Sequence, residues 1–502
     1  MNRPIEPASI VILGVTGDLT ERKLMPALFS VMEDGLLPSV FNIVGYARRD
    51  WSNEHLREMM YEAVKTYSRY KPGSSDDTMW DGFASNLSYV QGGFGELDRF
   101  KALDSFLKDK AAQRSMPDNR LYYLAAPPNW YSEIVQNIGA AGMAADSEAG
   151  WRRIIIEKPF GTDLSSAQAL NEVVHGIFQE RQVFRIDHYL GKETVQNILV
   201  MRFANAIFEP IWNRRYVDHV QISMVETAGV EGRAEFYDSA GVIRDIFQNH
   251  LLQVMTLIAM EPPVAFEADA IRNEKVKILQ ALRPIGVSDV GQCTARGQYT
   301  AGTIDGEAVP GFCEVEGIPA GSTTATFAAV RFLIENWRWQ GVPFYLRSGK
   351  RLPNRVTEVS VHFRSPPHLL FAPQDGEELR PNVLALRIQP DEGISLKFEA
   401  KVPGQGEVRR PVTMDFRYRT SFGIAEPPEA YERLLLDALW GDATLFTRSD
   451  EIEWAWRHID PILLGWQDKD QAPPLENYEA GTWGTEGARQ MIERDGRQWR
   501  RL

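Results

Sequence analysis

Cysteine is scarce in this chain: Cys293 and Cys313 are the only two among 502 residues. Their spacing is neither CxxC nor that of a metal site, and two thiols in so long a chain suit a reducing compartment. Long apolar runs are missing as well. The longest early run, Ile10–Leu13, is only strand-sized. A membrane helix needs roughly 18 apolar residues, and the run is also short for the apolar region of a secretory signal, with no basic stretch ahead of it. A cytoplasmic protein without membrane association is expected. Basic charge is outnumbered, with 55 Lys and Arg against 68 Asp and Glu, a formal net charge of −13. That balance disfavours nonspecific binding to nucleic acid or to an anionic membrane surface. Repeats, low-complexity segments and clusters of metal ligands are not apparent, and no metal is expected. What is present, 44% hydrophobic, 25% charged and 11% aromatic residues, is ordinary for a globular protein with a sizeable core.

Residues 9–190 alternate short apolar strands with helical patterns. Candidate strands are Ser9–Leu13, Phe41–Gly45, Leu121–Ala125 and Ile154–Ile156, with helices such as Arg22–Met32 and Tyr131–Ile138 between them. Such alternation predicts βαβ units and a parallel, doubly wound sheet. After about residue 190 the pattern changes. A helix follows Glu193, a strand covers Val217–Val225, and an apolar helix covers Gly241–Met260. Further strands are predicted at Thr323–Arg331, Val342–Arg347, Val356–Phe363, Val383–Ile388 and Ile394–Ala400. Runs of strands predict a mostly antiparallel sheet with flanking helices. Gly291–Gly311, rich in Gly, Thr and Ala, is expected to be a long loop. The fold class is α/β plus α+β: a Rossmann-like domain over 1–190, then a larger domain over 191–502.

The first strand runs into Gly14-Val15-Thr16-Gly17-Asp18-Leu19, and a helix pattern follows. Strand, tight glycine turn and helix make a dinucleotide-binding arrangement, with the pyrophosphate at the helix N-terminus. The spacing is GxxGDL rather than GxGxxG. The second strand ends at Arg48-Arg49. An acidic residue there would hold a ribose 2′-hydroxyl; arginine suits a 2′-phosphate, which it grips with paired hydrogen bonds. NADP is therefore expected over NAD.

Three later segments carry chemistry. Glu157-Lys158-Pro159-Phe160-Gly161 follows a strand, which places Lys158 where open α/β sheets bind ligands. It can serve sugar hydroxyls or the cofactor. Asp187-His188-Tyr189-Leu190-Gly191-Lys192 leads into a helix. Backbone N–H groups and the helix dipole favour an anion there, and His188, Tyr189 and Lys192 add donors and charge, so a phosphate cradle is expected. In the third segment Ile246, His250 and Val254 share a helical stripe. An imidazole on that face suits a general base near neutral pH, given a carboxylate to fix its tautomer. Asp187 and Asp245 are both candidates for that partner.

Together, GVTGDLTERKL, EKPFG, RIDHYLGKE, GVIRDIFQNHLLQ, FYLRSGKRLP and YEAGTWG occur in an order that closely resembles the glucose-6-phosphate dehydrogenases. The resemblance runs from about residue 9 to about residue 485. It implies that His250 takes the C1 hydroxyl proton and that Asp187 orients it. It implies sugar-phosphate contacts from Lys158, His188, Tyr189, Lys192, Glu226, Asp245 and Lys350, with Arg355 and Gln389 as looser matches. Gly14, Thr16, Gly17, Asp18, Leu19, Arg48, Tyr123 and Lys158 match the cofactor site. NADP is the implied cofactor, with NAD as a secondary one, and a dimer or tetramer assembled through the large sheet is also implied. One departure is Glu235, where a smaller residue is usual for the family.

Overall fold

The apolar stretches fold as the patterning requires. The structure, a computed structural model, describes residues 4–73, 78–368, 380–404, 408–423 and 428–502. The described chain divides into two units. The first holds the residues up to Glu193, with Val264–Arg272 and the described part of 426–453; the second holds the remainder.

In the first unit, β1 (Ala8–Leu13), β2 (Phe41–Ala47), β3 (Leu87–Gln91), β4 (Arg120–Leu124), β5 (Arg152–Ile156) and β6 (Val183–Ile186) pair in parallel in the order β6-β5-β4-β1-β2-β3. This is the doubly wound Rossmann order, whose ligands sit beyond the carboxyl ends of the strands. Every residue of β1 and β2 is buried, as expected of strands covered by helices on both faces. A two-residue strand, Phe446–Thr447, closes the sheet antiparallel to β6. The segment around it is tied down by Lys23 to Glu429 at 2.8 Å and Arg69 to Glu432 at 2.6 Å. Arg153 also donates to the carbonyl of Ala438 at 2.9 Å, near the C-terminus of the helix Ala430–Trp440.

The second unit is built on a nine-stranded sheet. Its strands are β7 (Val217–Val225), β8 (Thr294–Thr300), β11 (Phe327–Leu333), β12 (Pro343–Gly349), β13 (Val356–Phe363), β14 (Val383–Gln389), β15 (Gly393–Lys401), β16 (Arg409–Arg417) and Leu475–Glu479, with a separate hairpin of β9 (Gly302–Ile304) and β10 (Glu307–Val309). Pairing is antiparallel except between β7 and β12 and between β8 and Leu475–Glu479.

The expected loop at Gly291–Gly311 is overturned, since β8, β9 and β10 lie within it. Glycine content signalled a loop, but Gly297 is there because its missing side chain leaves room for Thr485, whose Cγ2 would stand 2.3 Å from an added Cβ. The hairpin turns at Asp305-Gly306, both at positive φ (52° and 87°), as a two-residue type I′ turn demands. The expected single helix over Gly241–Met260 is also modified. Ala234–Val242 carries non-helical Gly241, Ile243–Leu251 winds as a π-helix, and Leu252–Ala259 returns to α.

Candidate functional site

In the first unit the turn after β1 is shaped by its glycines. The Gly14 N–H donates to the Tyr46 carbonyl at 2.8 Å, and the Gly17 N–H donates to Gly14 at 3.0 Å. Gly14 has φ +103°, and a Cβ there would lie 2.3 Å from the Ala125 carbonyl oxygen, so only glycine fits. Thr16, Gly17 and Leu19 are partly exposed around the turn, and the helix begins at Asp18. The exposed Asp18 carboxylate pairs with Arg22 at 2.6 Å. Arg48 is exposed directly after β2. A narrow glycine turn, a helix N-terminus and a solvent-facing guanidinium at the carboxyl edge of a parallel sheet fit a dinucleotide. Tyr123, on β4 beside β1, is fully buried, and its hydroxyl donates to Glu157 at 2.5 Å.

The Asp187–Lys192 loop follows β6. Asp187 is 3% exposed, and its Oδ1 accepts from the Tyr189 N–H at 3.0 Å, an Asx turn that folds the loop locally. The Leu190 N–H donates to the Asp187 carbonyl at 3.0 Å, and the Lys192 N–H to Tyr189 at 3.1 Å. A Cβ at Gly191 would meet the Ala430 carbonyl at 2.7 Å, so the helix Ala430–Trp440 packs against bare backbone. These turns bring His188, Tyr189 and Lys192 together. The His188 and Tyr189 rings are 5.0 Å apart, and Lys192 Nζ lies 4.9 Å from the Tyr189 centroid. Lys158, half-buried, sits just beyond β5, next to buried Glu157.

The second unit gathers its own polar group. Lys350, just beyond β12, pairs with Glu226, just beyond β7; β7 and β12 are parallel neighbours. Lys350 Nζ stands 5.5 Å from the ring centroid of Tyr237. Burial, then the charge of Asp245, pushes the Tyr237 hydroxyl far above the ordinary tyrosine range, and Glu226 acts in the same sense. Glu226 and Lys350 therefore stand together beside Tyr237, with the charge of Asp245 also acting on its hydroxyl; sequence reasoning missed Tyr237 because it reads as an ordinary core aromatic. His250 is 1% exposed, in the π-helical stretch, with Ile246 at 8% and Val254 at 0%. Gln389, at the end of β14, donates to Thr357 at 3.1 Å, and Arg355 is exposed just ahead of β13. Glu235 is exposed in the first turn of Ala234–Val242.

Known proteins are similar to this chain along its whole length. Residues 11–197 match the model described as glucose-6-phosphate dehydrogenase, NAD binding domain, and residues 199–500 match the corresponding C-terminal domain. Glucose-6-phosphate 1-dehydrogenase 2 of Mycobacterium tuberculosis (strain ATCC 25618 / H37Rv) is 47% identical over 99% of this chain and 95% of its own length. Glucose-6-phosphate 1-dehydrogenase of Chlamydia pneumoniae is 45% identical over 100% of this chain and 97% of its own. A solved glucose-6-phosphate dehydrogenase in complex with its substrate glucose 6-phosphate superposes with a TM-score of 0.89 at 36% identity, covering 100% of both chains. The Mycobacterium avium enzyme gives 0.82 at 35% identity over 99% of both chains. A nicotinamide dinucleotide is thus the cofactor class of the N-terminal domain, and, with the two family models together matching nearly all of its length, the chain belongs to the glucose-6-phosphate dehydrogenase family.

Proposed function

We propose that this chain oxidises D-glucose 6-phosphate to 6-phospho-D-glucono-1,5-lactone with NADP as the preferred acceptor, the first step of the oxidative pentose phosphate pathway. The observation that carries the reading is full-length similarity to glucose-6-phosphate 1-dehydrogenases, one relative of known structure being in complex with that substrate. Arg48, exposed beyond β2, supports NADP, with NAD as a secondary cofactor. The bound nicotinamide supplies the two-electron acceptor. His250 takes the proton of the C1 hydroxyl as C1 becomes a carbonyl, and Asp187 fixes the imidazole and balances its cation. His188, Tyr189 and Lys192 hold the 6-phosphate. Glu226, Asp245 and Lys350 orient the sugar, with Arg355 and Gln389 at its margin, and Lys158 lies between sugar and cofactor. Gly14, Thr16, Gly17, Asp18, Leu19, Arg48 and Tyr123 form the cofactor site.

Residues 1–190 act as the cofactor domain and 191–502 as the substrate and oligomerisation domain. A cytoplasmic homodimer or homotetramer assembled through the large sheet completes the reading. It is supported by the edge strand β16, where Val412 and Met414 are 39% and 62% exposed. Initial rates of cofactor reduction with glucose 6-phosphate, with NADP and NAD in parallel, test the reaction and the cofactor order together. A faster rate with NAD would overturn the assignment of NADP.

A further inference from the structure

The YEAGTWG segment, residues 478–484, carries no group assigned to substrate or cofactor. It begins in the strand Leu475–Glu479, where Tyr478 lies opposite Tyr299 of β8. Tyr478 is buried, and its hydroxyl donates to the Lys350 carbonyl at 2.7 Å. Three residues on, the Gly481 N–H donates to the Arg351 carbonyl at 2.8 Å. Gly481 has φ +88°, and a Cβ there would lie 2.3 Å from the Thr303 carbonyl oxygen, so the close approach needs glycine. The segment therefore bonds to two successive carbonyls of the turn that leaves β12.

The N–H groups of that turn bond to backbone: Lys350 to Thr326 at 3.0 Å, Arg351 to Ala228 at 3.2 Å and Leu352 to Glu226 at 2.9 Å. Arg351 has φ +52°, a conformation that a residue other than glycine keeps where its surroundings hold it. The Lys350 carbonyl, by contrast, takes its bond from a side chain. That hydroxyl is itself oriented. Because it donates to Lys350, its oxygen accepts from Thr326 Oγ1 at 3.1 Å, and Thr326 Oγ1 accepts from the Tyr299 N–H at 3.0 Å. All three hydrogen bonds point toward Lys350, an order in which each strengthens the next. Beyond the turn the Lys350 ammonium pairs with Glu226 and stands 5.5 Å from the Tyr237 ring centroid. A lysine stem is flexible, so the place of its ammonium depends on the direction in which the backbone launches it. All these residues belong to the second unit.

We propose that Tyr478 is a positioning residue for the sugar, acting through the Lys350 carbonyl on the direction in which the Lys350 side chain leaves the turn. The inference rests on the reading that Glu226 and Lys350 orient the sugar. It does not require Tyr478 to touch substrate.

The test is a double-mutant cycle on the full-length enzyme with Tyr478→Phe, Lys350→Ala and the double variant. Tyr478→Phe removes the hydroxyl and keeps the ring. It is expected to lower kcat/KM for glucose 6-phosphate about fivefold, the size of one neutral hydrogen bond, while the dissociation constant for NADP stays within about twofold. In the Lys350→Ala background the same substitution should cost nothing further. Thr326→Val, which takes the donor off the tyrosine oxygen, should lower kcat/KM in the same direction by about twofold to threefold. An unchanged kcat/KM in Tyr478→Phe overturns the proposal; where that variant does not fold, an unchanged value in Thr326→Val does so. Losses that multiply in the double variant also overturn it, as does an equal weakening of NADP binding, the pattern of a general structural defect. Wild-type enzyme inactive on glucose 6-phosphate would instead sink the functional reading itself.

Discussion

Replacing His362 with Phe is expected to remove a defined part of the acid sensitivity of the large sheet. His362 on β13 stacks on His219 of β7, with centroids 4.1 Å apart and an interplanar angle of 17°. His219 is held by Asp218 at 2.8 Å and by Gln221 at 2.9 Å, and Ser360 lies 3.1 Å from His362 Nε2. Burial, then the neighbouring imidazole, lowers the His362 pKa from 6.5 to about 2, with Arg500 acting in the same direction and Asp218 against it. Burial also lowers that of His219. Above pH 6.5 folded and unfolded chains both hold His362 neutral. Below it the unfolded chain takes up a proton that the folded sheet refuses, so stability present above the unfolded pKa is lost as pH falls. Between pH 7.5 and 5.5 the unfolded state gains about a tenfold proton-binding advantage from one such residue, about 1.4 kcal/mol. Phe keeps an aromatic ring in the stack and cannot titrate; losing the Ser360 contact costs the same at both pH values. Thermal melts at the two pH values should show a wild-type loss about 1.4 kcal/mol larger than that of the variant, roughly 1–3 °C in Tm for a chain of this size. Equal pH dependence in the two proteins would refute the reasoning.

Three further predictions concern the site. His250→Asn should lower kcat by about 10²–10⁴, the usual contribution of a general base, with substrate binding little changed; near-normal turnover removes His250 as the base. Lys192→Ala should raise KM for glucose 6-phosphate by about tenfold or more through loss of a charged phosphate contact; an unchanged KM counts against the cradle. Arg48→Ala should narrow the NADP-over-NAD ratio of kcat/KM, and a constant ratio rejects the 2′-phosphate contact.

Strands with clean patterning were legible. Val356–Phe363 alternates, and the structure ends the strand at the same two residues. Others carried no such signal. Arg409–Arg417 is an exposed edge strand rich in charge, Val183–Ile186 is four residues long, and β8 hides behind a glycine that serves close packing. The π-winding of Ile243–Leu251 has no counterpart in a stripe of Ile246, His250 and Val254, because i,i+4 spacing reads alike in either helix. His188, Tyr189 and Lys192 could be read together because they are close in sequence, and the structure brings their side chains side by side. Glu157 lay inside a quoted motif, yet its hydrogen-bond partner Tyr123 is 34 residues away. Side chains brought together by topology leave no periodic trace.

The initial rate of cofactor reduction with glucose 6-phosphate tests the central claim most directly. Rapid reduction of NADP, dependent on the 6-phosphate and slower with NAD, is the predicted result. No reduction of either cofactor by folded protein that binds NADP would contradict the account.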